Sequence, residues 1–284
     1  MEMDKQWATI RKVPLSFLHH RSGSGEIQRP LILFLHGFPD DPSVWLEMSR
    51  HLKDQFDLLL PYVGRVGNPK LPKNRLKLSR LAMDMINLIQ SLYQDERPIL
   101  IVAHDLGGAI ARELEFMLGD RIKGVIYINS MGSDVFANRL KDPSQIAKSY
   151  YMLAFQFPLF SPRLIQRFHA PLDKRFSKFG RLAPPAAEAK NVWQGIELYR
   201  SFIGELTGAL REKRKSAIPA LFVFGNKDPF IVLPKKSDLN PFYNQFQIRV
   251  LESGHWPQTR NSEKLAKIVE RFFYDECKSV TAAV

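Results

Sequence analysis

Cysteine is nearly absent from this 284-residue chain: Cys277, near the C-terminus, stands alone. No internal disulfide can hold the fold, so stability has to come from a buried core. Long apolar runs are missing too. Residues 1–30 carry no apolar stretch of the kind a secretory leader needs, and nothing approaches the length of a membrane span. The expectation is a cytoplasmic protein without stable membrane insertion. Acidic residues are in deficit, 29 against 41 Lys and Arg, for a net charge of +12, which raises nucleic acid or an anionic surface as a partner. The basic residues are scattered, apart from 211–215 and a loose run at 174–181, and no nucleic-acid motif is visible among them. They read as solvated faces, with no nucleic-acid partner and only weak contact with an anionic surface. Carboxylates and histidines do not cluster at ligand spacing, so no metal is expected.

Alternation is what the chain does have. Residues 31–35, 99–102 and 220–224 are apolar runs, as expected of strands buried on both faces of a parallel sheet, and 122–129 reads as another buried strand. Residues 56–60 and 247–251 supply further strands, and 7–11 with 15–20 an antiparallel pair. Between them 41–52, 76–92, 107–118 and 262–274 have helical spacing, with a short helix near 235–243. The fold class is α/β, a mostly parallel, doubly wound sheet with right-handed crossovers. Residues 131–212 break the rhythm with many prolines, an aromatic-rich run at 150–160, and helical candidates at 144–157, 162–179, 184–190 and 195–210. The predicted organisation is a core built from 1–130 and 213–284 with a helical unit, 131–212, inserted in it.

The strand ending at Val102 runs through Ala103-His104-Asp105-Leu106-Gly107-Gly108 straight into a helix. So tight a turn needs small residues on both sides, which Ala103, Gly107 and Gly108 supply. The apex residue, Asp105, is lifted above the sheet edge at a helix N-terminus, where negative charge is favoured. A carboxylate there is already ionised at neutral pH. It can attack an sp3 carbon that is strained or bears a leaving group, forming an enzyme ester without a base to activate it. Two more candidates lie at strand ends, where ligands gather in open sheets: Asp228 in Gly225-Asn-Lys-Asp228-Pro229 and His255 in Gly254-His255-Trp256-Pro257. His255 would deprotonate the water that attacks the ester, and Asp228 would hold its tautomer. Taken singly, Asp105 also reads as a helix cap, Asp228 as a turn former and His255 as a buried structural histidine. Their order along the chain favours catalysis. His104 reads as structural. His36-Gly37-Phe38-Pro39 follows the first buried strand, and the backbone N–H groups of Phe38 and Leu106 are the candidate oxyanion hole. The Phe38-Pro39 bond is a candidate cis peptide.

Together His36-Gly-Phe-Pro39, His104-Asp-Leu-Gly-Gly108, Gly225-x-x-Asp228 and Gly254-His-Trp-Pro-Gln258 resemble the motifs of epoxide hydrolases of the α/β-hydrolase fold, over nearly the whole length. The first and third are shared with many relatives; the Asp elbow narrows the field to epoxide hydrolases and dehalogenases. The resemblance implies an α/β-hydrolase fold with a helical cap inserted after the strand that follows the elbow helix. It implies no cofactor, a small apolar epoxide as substrate, and two cap tyrosines that grip the epoxide oxygen. Tyr151 and Tyr199 lie in the matching segments, with Tyr150 competing for the first place. Phe38, Leu106, Phe155 and Trp256 would line the pocket, and Phe157 and Phe160 add to its apolar character. Two departures stand out. Leu106 occupies a place where the family usually has Trp, and Pro61-Tyr-Val-Gly-Arg-Val-Gly67 replaces the usual Asp-x-Arg-Gly-Tyr-Gly-type loop. The rival readings are a haloalkane or haloacid dehalogenase with the same nucleophile, and a non-catalytic small-molecule receptor or basic surface-binding protein on the same fold. Monomer and homodimer are both open.

Overall fold

The computed structural model describes residues 3–10, 12–22, 28–64, 66, 68, 71–150, 152, 155, 156, 189–209 and 214–277. Tyr151, Phe157, Phe160, the helical candidate at 162–179, most of that at 184–190 and the basic run at 174–181 lie outside them. The apolar runs form the middle of an eight-stranded sheet: β1 Lys5–Ile10, β2 Val13–His20, β3 Leu31–Leu35, β4 Asp57–Pro61, β5 Ile99–His104, β6 Ile122–Ile128, β7 Ala220–Gly225 and β8 Phe246–Leu251. Their order across the sheet is β1-β2-β4-β3-β5-β6-β7-β8. β1 and β2 are antiparallel to each other, and β2 to β4; every later pairing is parallel.

Each central strand buries both faces, and alternate residues feed two separate core layers. Leu31, Leu33, Ile99, Ile101 and Tyr127 point to one layer, and Ile32, Phe34, Leu100, Val102 and Ile128 to the other. Helices α2 (Leu78–Leu92) and α3 (Gly107–Leu118) cover the first, α1 (Leu46–Leu52) and α9 (Ser262–Phe272) the second. Strand order turns back between β3 and β5, which leaves a crevice beyond their carboxyl ends. That switch point is where His36-Gly37-Phe38 meets Asp105.

Between β6 and β7 the described residues form helices α4 (Ser133–Arg139), α5 (Pro143–Lys148) and α6 (Ala189–Ala209). α5 ends at Lys148 with a turn at Ser149; Tyr150 and Met152 are again helical, and residues 151, 153, 154 and 157 of the expected 144–157 lie outside the described residues. α6 is one continuous helix where two had been expected. The gap left at 191–194 is helical too, and within α6 Gly195 meets Phe38, since a Cβ there would lie 2.5 Å from that ring. A residue that reads locally as a helix breaker is kept for close packing. Fully buried Arg112 of α3 pairs with Asp134 of α4 (2.8 Å) and with Glu115 (2.8 Å), and it also donates to the Arg214 carbonyl. Both ends of the segment between β6 and β7 are thereby fastened to the elbow helix.

Short helices α7 (Lys236–Leu239) and α8 (Pro257–Arg260) complete the fold. Among the described residues no helix is long and apolar enough to cross a membrane.

Candidate active site

β5 ends at His104, and Asp105 takes a left-handed backbone, φ 49°. Few residues other than glycine accept this; aspartate is among those that do. A Cβ at Gly107 would meet the Leu35 carbonyl oxygen at 2.3 Å, so the elbow closes only with glycine there. The Asp105 carboxylate is buried with partners on three sides. Phe38 donates its backbone N–H to Oδ1 at 2.9 Å. The Tyr199 hydroxyl, from α6, lies 3.3 Å from Oδ1 and 3.2 Å from Oδ2. His255 Nε2 stands 3.6 Å from Oδ2, beyond hydrogen-bond length but well within charge range.

The other face of that imidazole is held tightly. His255 Nδ1–H donates to Asp228 Oδ2 at 2.7 Å, and Asp228 Oδ1 accepts the backbone N–H groups of Phe230 and Ile231 at 2.7 and 3.1 Å. Lys148 of α5 donates to the Asp228 carbonyl at 2.6 Å and steadies the same turn. Burial alone would push the His255 pKa down. The charge of Asp228 and the carboxylate of Asp105 overcome that and hold it up, to about 10. Burial pushes Asp105 the other way, yet it too ends on its charged side, below the ordinary carboxylate range, because of His255, His104 and the Phe38 N–H. The resting site is therefore a carboxylate, an imidazolium and a second carboxylate in line.

Sequence reasoning placed His104 as structural, and the structure gives it a definite contact. Its pKa is pushed down to about 4, chiefly by burial, so the ring is neutral and its Nε2–H donates to the His255 carbonyl at 2.9 Å. The Phe38-Pro39 bond is cis. A cavity of about 30 Å³, room enough for water, borders Asp105 and is walled by Leu106, Ala109, Met131, Phe136, Met152, Tyr199, Phe202 and Ile231 with Ser130. Of the expected pocket residues only Leu106 lines it. Phe38 and half-buried Phe155 pack with Tyr199, with ring centroids 5.3 and 5.5 Å from the phenol. Trp256 is turned away. Its indole lies in the second core layer and donates to Asp40 at 2.7 Å. Tyr150 is 63% exposed, which removes it as a rival for contact with the carboxylate.

The departing loop after β4 is pinned from within by Asn68, whose amide donates to the carbonyls of Tyr62, Gly64 and Val66. Asn129, Ser130, Lys148 and Asp40 support the site without having been expected. Asn129 and Ser130 alone carried a signal, since they directly follow an apolar strand. Among the described residues no three His, Cys, Asp or Glu side chains gather as a metal-holding group.

Known proteins share this architecture. The chain is 23% identical over 292 residues to epoxide hydrolase 4 of Homo sapiens, spanning 91% of this chain and 76% of that protein. It is also 23% identical over 300 residues to epoxide hydrolase 3 of Xenopus tropicalis, spanning 95% and 78%. The crystal structure of Bacillus megaterium epoxide hydrolase with an inhibitor superposes with a TM-score of 0.79 at 21% identity, over 95% of this chain and 100% of that one, which shows a common fold. Residues 32–268 match the alpha/beta hydrolase family, so the chain belongs to that family.

Proposed function

We propose that the protein is an epoxide hydrolase that opens an apolar epoxide to a vicinal diol through an ester on Asp105. The observation that carries this reading is a phenol, Tyr199, against an elbow carboxylate that also faces an imidazole. Segment 131–212 is then the cap, and α6 delivers Tyr199 from it.

Oδ2, which faces His255, attacks a ring carbon while the carbon–oxygen bond breaks; the leaving oxygen takes the Tyr199 proton. Oδ1 stays on the Phe38 N–H, which becomes an oxyanion donor together with the Leu106 N–H. The His255 imidazolium then gives its proton to the Tyr199 phenolate, by way of solvent, which leaves a neutral imidazole. Water gives a proton to that imidazole and attacks the ester carbonyl. Collapse of the tetrahedral centre expels the diol oxygen, which takes this proton, and the acid left on Asp105 passes its own to His255, so that carboxylate, imidazolium and phenol are all restored. Halide departure would want an N–H donor beside the nucleophile. Leu106 has none in its side chain, and the Trp256 indole is committed to Asp40, which disfavours the dehalogenase reading.

Isotope labelling tests the ester. In heavy-oxygen water the first turnover should yield unlabelled diol, because one oxygen comes from substrate and the other from Asp105, with label entering only later. Label in the first-turnover diol would exclude the ester.

Tyr199→Phe tests the choice between epoxide and halide. General-acid assistance is typically worth about 100-fold to 10,000-fold, and the variant should lose part of that in ring opening, with the ring packing on Phe38 retained. Adding Tyr151→Phe should deepen the loss. Stopped-flow alkylation showing parental rates in the double variant would remove the tyrosines from the mechanism.

A further inference from the structure

Asn129 directly follows β6, has a left-handed backbone, φ 41°, and is fully buried. Its Oδ1 accepts the Gly225 N–H at 2.8 Å. Its Nδ2 donates to the carbonyls of Gly254 and His255, each at 2.9 Å. One amide thus joins the end of β7, which leads into the Asp228 turn, to the loop that carries His255. The adjoining Ser130 hydroxyl donates to the Asp105 carbonyl, so two consecutive residues touch the backbones that present all three groups. His104 adds a second donor to the His255 carbonyl, and a backbone bond from Lys227 to Ser253 ties the two loops once more. Against those helpers the Asn129 amide is distinctive, because among the described residues it alone joins the end of β7 to the His255 loop while adjoining the elbow. Its acceptor and both its donor directions are used, which leaves it a single orientation.

We propose that Asn129 is a positioning residue that fixes the spacing of His255 and Asp228 relative to Asp105. It touches none of the reacting atoms and acts by anchoring the backbone on either side of the imidazole. Swinging that ring about 1 Å is enough to cost on the order of 100-fold in a step that depends on it. The step affected is the one that needs His255, ester hydrolysis; attack by Asp105 does not need it. This kinetic half rests on the ester mechanism proposed above.

Asn129→Gly removes the amide and keeps a residue at ease with a positive φ. Rapid-quench mass spectrometry should show ring opening at the parental rate, ester hydrolysis slowed by about 100-fold, and adduct accumulating. In parallel, the low-field proton resonance of the His255 Nδ1–H bound to Asp228 should shift or broaden. That measurement uses the free protein and no substrate. Asn129→Ser serves in its place if the glycine variant does not accumulate as folded protein. Equal slowing of both steps with an unmoved resonance would mean a merely structural residue, and parental hydrolysis with an unmoved resonance would mean no role; either result overturns the proposal. If the parent and His255→Gln both fail to form an adduct, the ester mechanism falls, and the resonance still decides the role of Asn129.

Discussion

Asp105→Asn should fold, form no covalent adduct with an epoxide and turn none over. Asparagine tolerates the left-handed backbone at the elbow, and its side-chain oxygen can keep the Phe38 N–H. What disappears is the anionic oxygen facing His255. Where catalytic groups act as a unit, deleting the attacking one removes activity on the order of a millionfold. The amide also withdraws one of the two carboxylates that hold the His255 proton, so the imidazole pKa should fall from its value of about 10. Intact mass after incubation with a terminal epoxide, with near-ultraviolet circular dichroism for the fold, checks this. The same spectrum detects any reversion of the amide to the acid. An adduct on verified amide protein would place the nucleophile elsewhere.

His255→Gln should do the opposite and trap the enzyme as its ester. Alkylation needs only the ionised carboxylate, whereas hydrolysis loses a general base worth about 100-fold to 10,000-fold. The pH dependence of the parent follows from the same pair. In the resting site His255 stays protonated up to about pH 10 because two carboxylates flank it. Forming the ester neutralises Asp105, lowers the imidazole pKa and releases the base when it is required. Ester hydrolysis should therefore rise with pH through a pKa below about 10. Ring opening should persist to lower pH, since the Asp105 pKa lies below the ordinary carboxylate range. Quenched enzyme should thus carry more adduct as the pH falls. A histidine variant that hydrolyses at the parental rate, or adduct that grows with rising pH, would remove His255 from the role of base.

Much of this architecture was legible because two-sided burial leaves an unmistakable imprint. Runs such as Leu31–Leu35 admit no polar residue, and each one found by inspection is a central strand. The elbow was legible for a related reason: its shape excludes side chains, so it writes Gly107 and Gly108 into the sequence. Edges were harder. β8 carries partly exposed residues over most of its length. The stretch 191–194 of α6 was missed, while Gly195 beside it is kept for contact with Phe38, a residue far away in the chain. Trp256 was misplaced for a comparable reason. Adjacency to His255 suggested a shared pocket, yet consecutive residues leave the loop in opposite directions, and Asp40 draws the indole into the other core layer. Supporting residues such as Asn129 and Lys148 bond to backbone carbonyls, which have no sequence signature of their own.

The Arg112 knot has a consequence for how the molecule comes apart. Detaching the Asp134 end of the segment between β6 and β7 would part a buried ion pair, at about 3–5 kcal/mol, while the Arg214 end is joined to Arg112 through its carbonyl. Whole domains are held together by only about 5–15 kcal/mol. Opening the Asp134 tether therefore consumes a large part of what keeps the entire sheet folded. The inserted helices have no cheap way to melt first, and on heating they share their fate with the elbow helix to which Arg112 binds them.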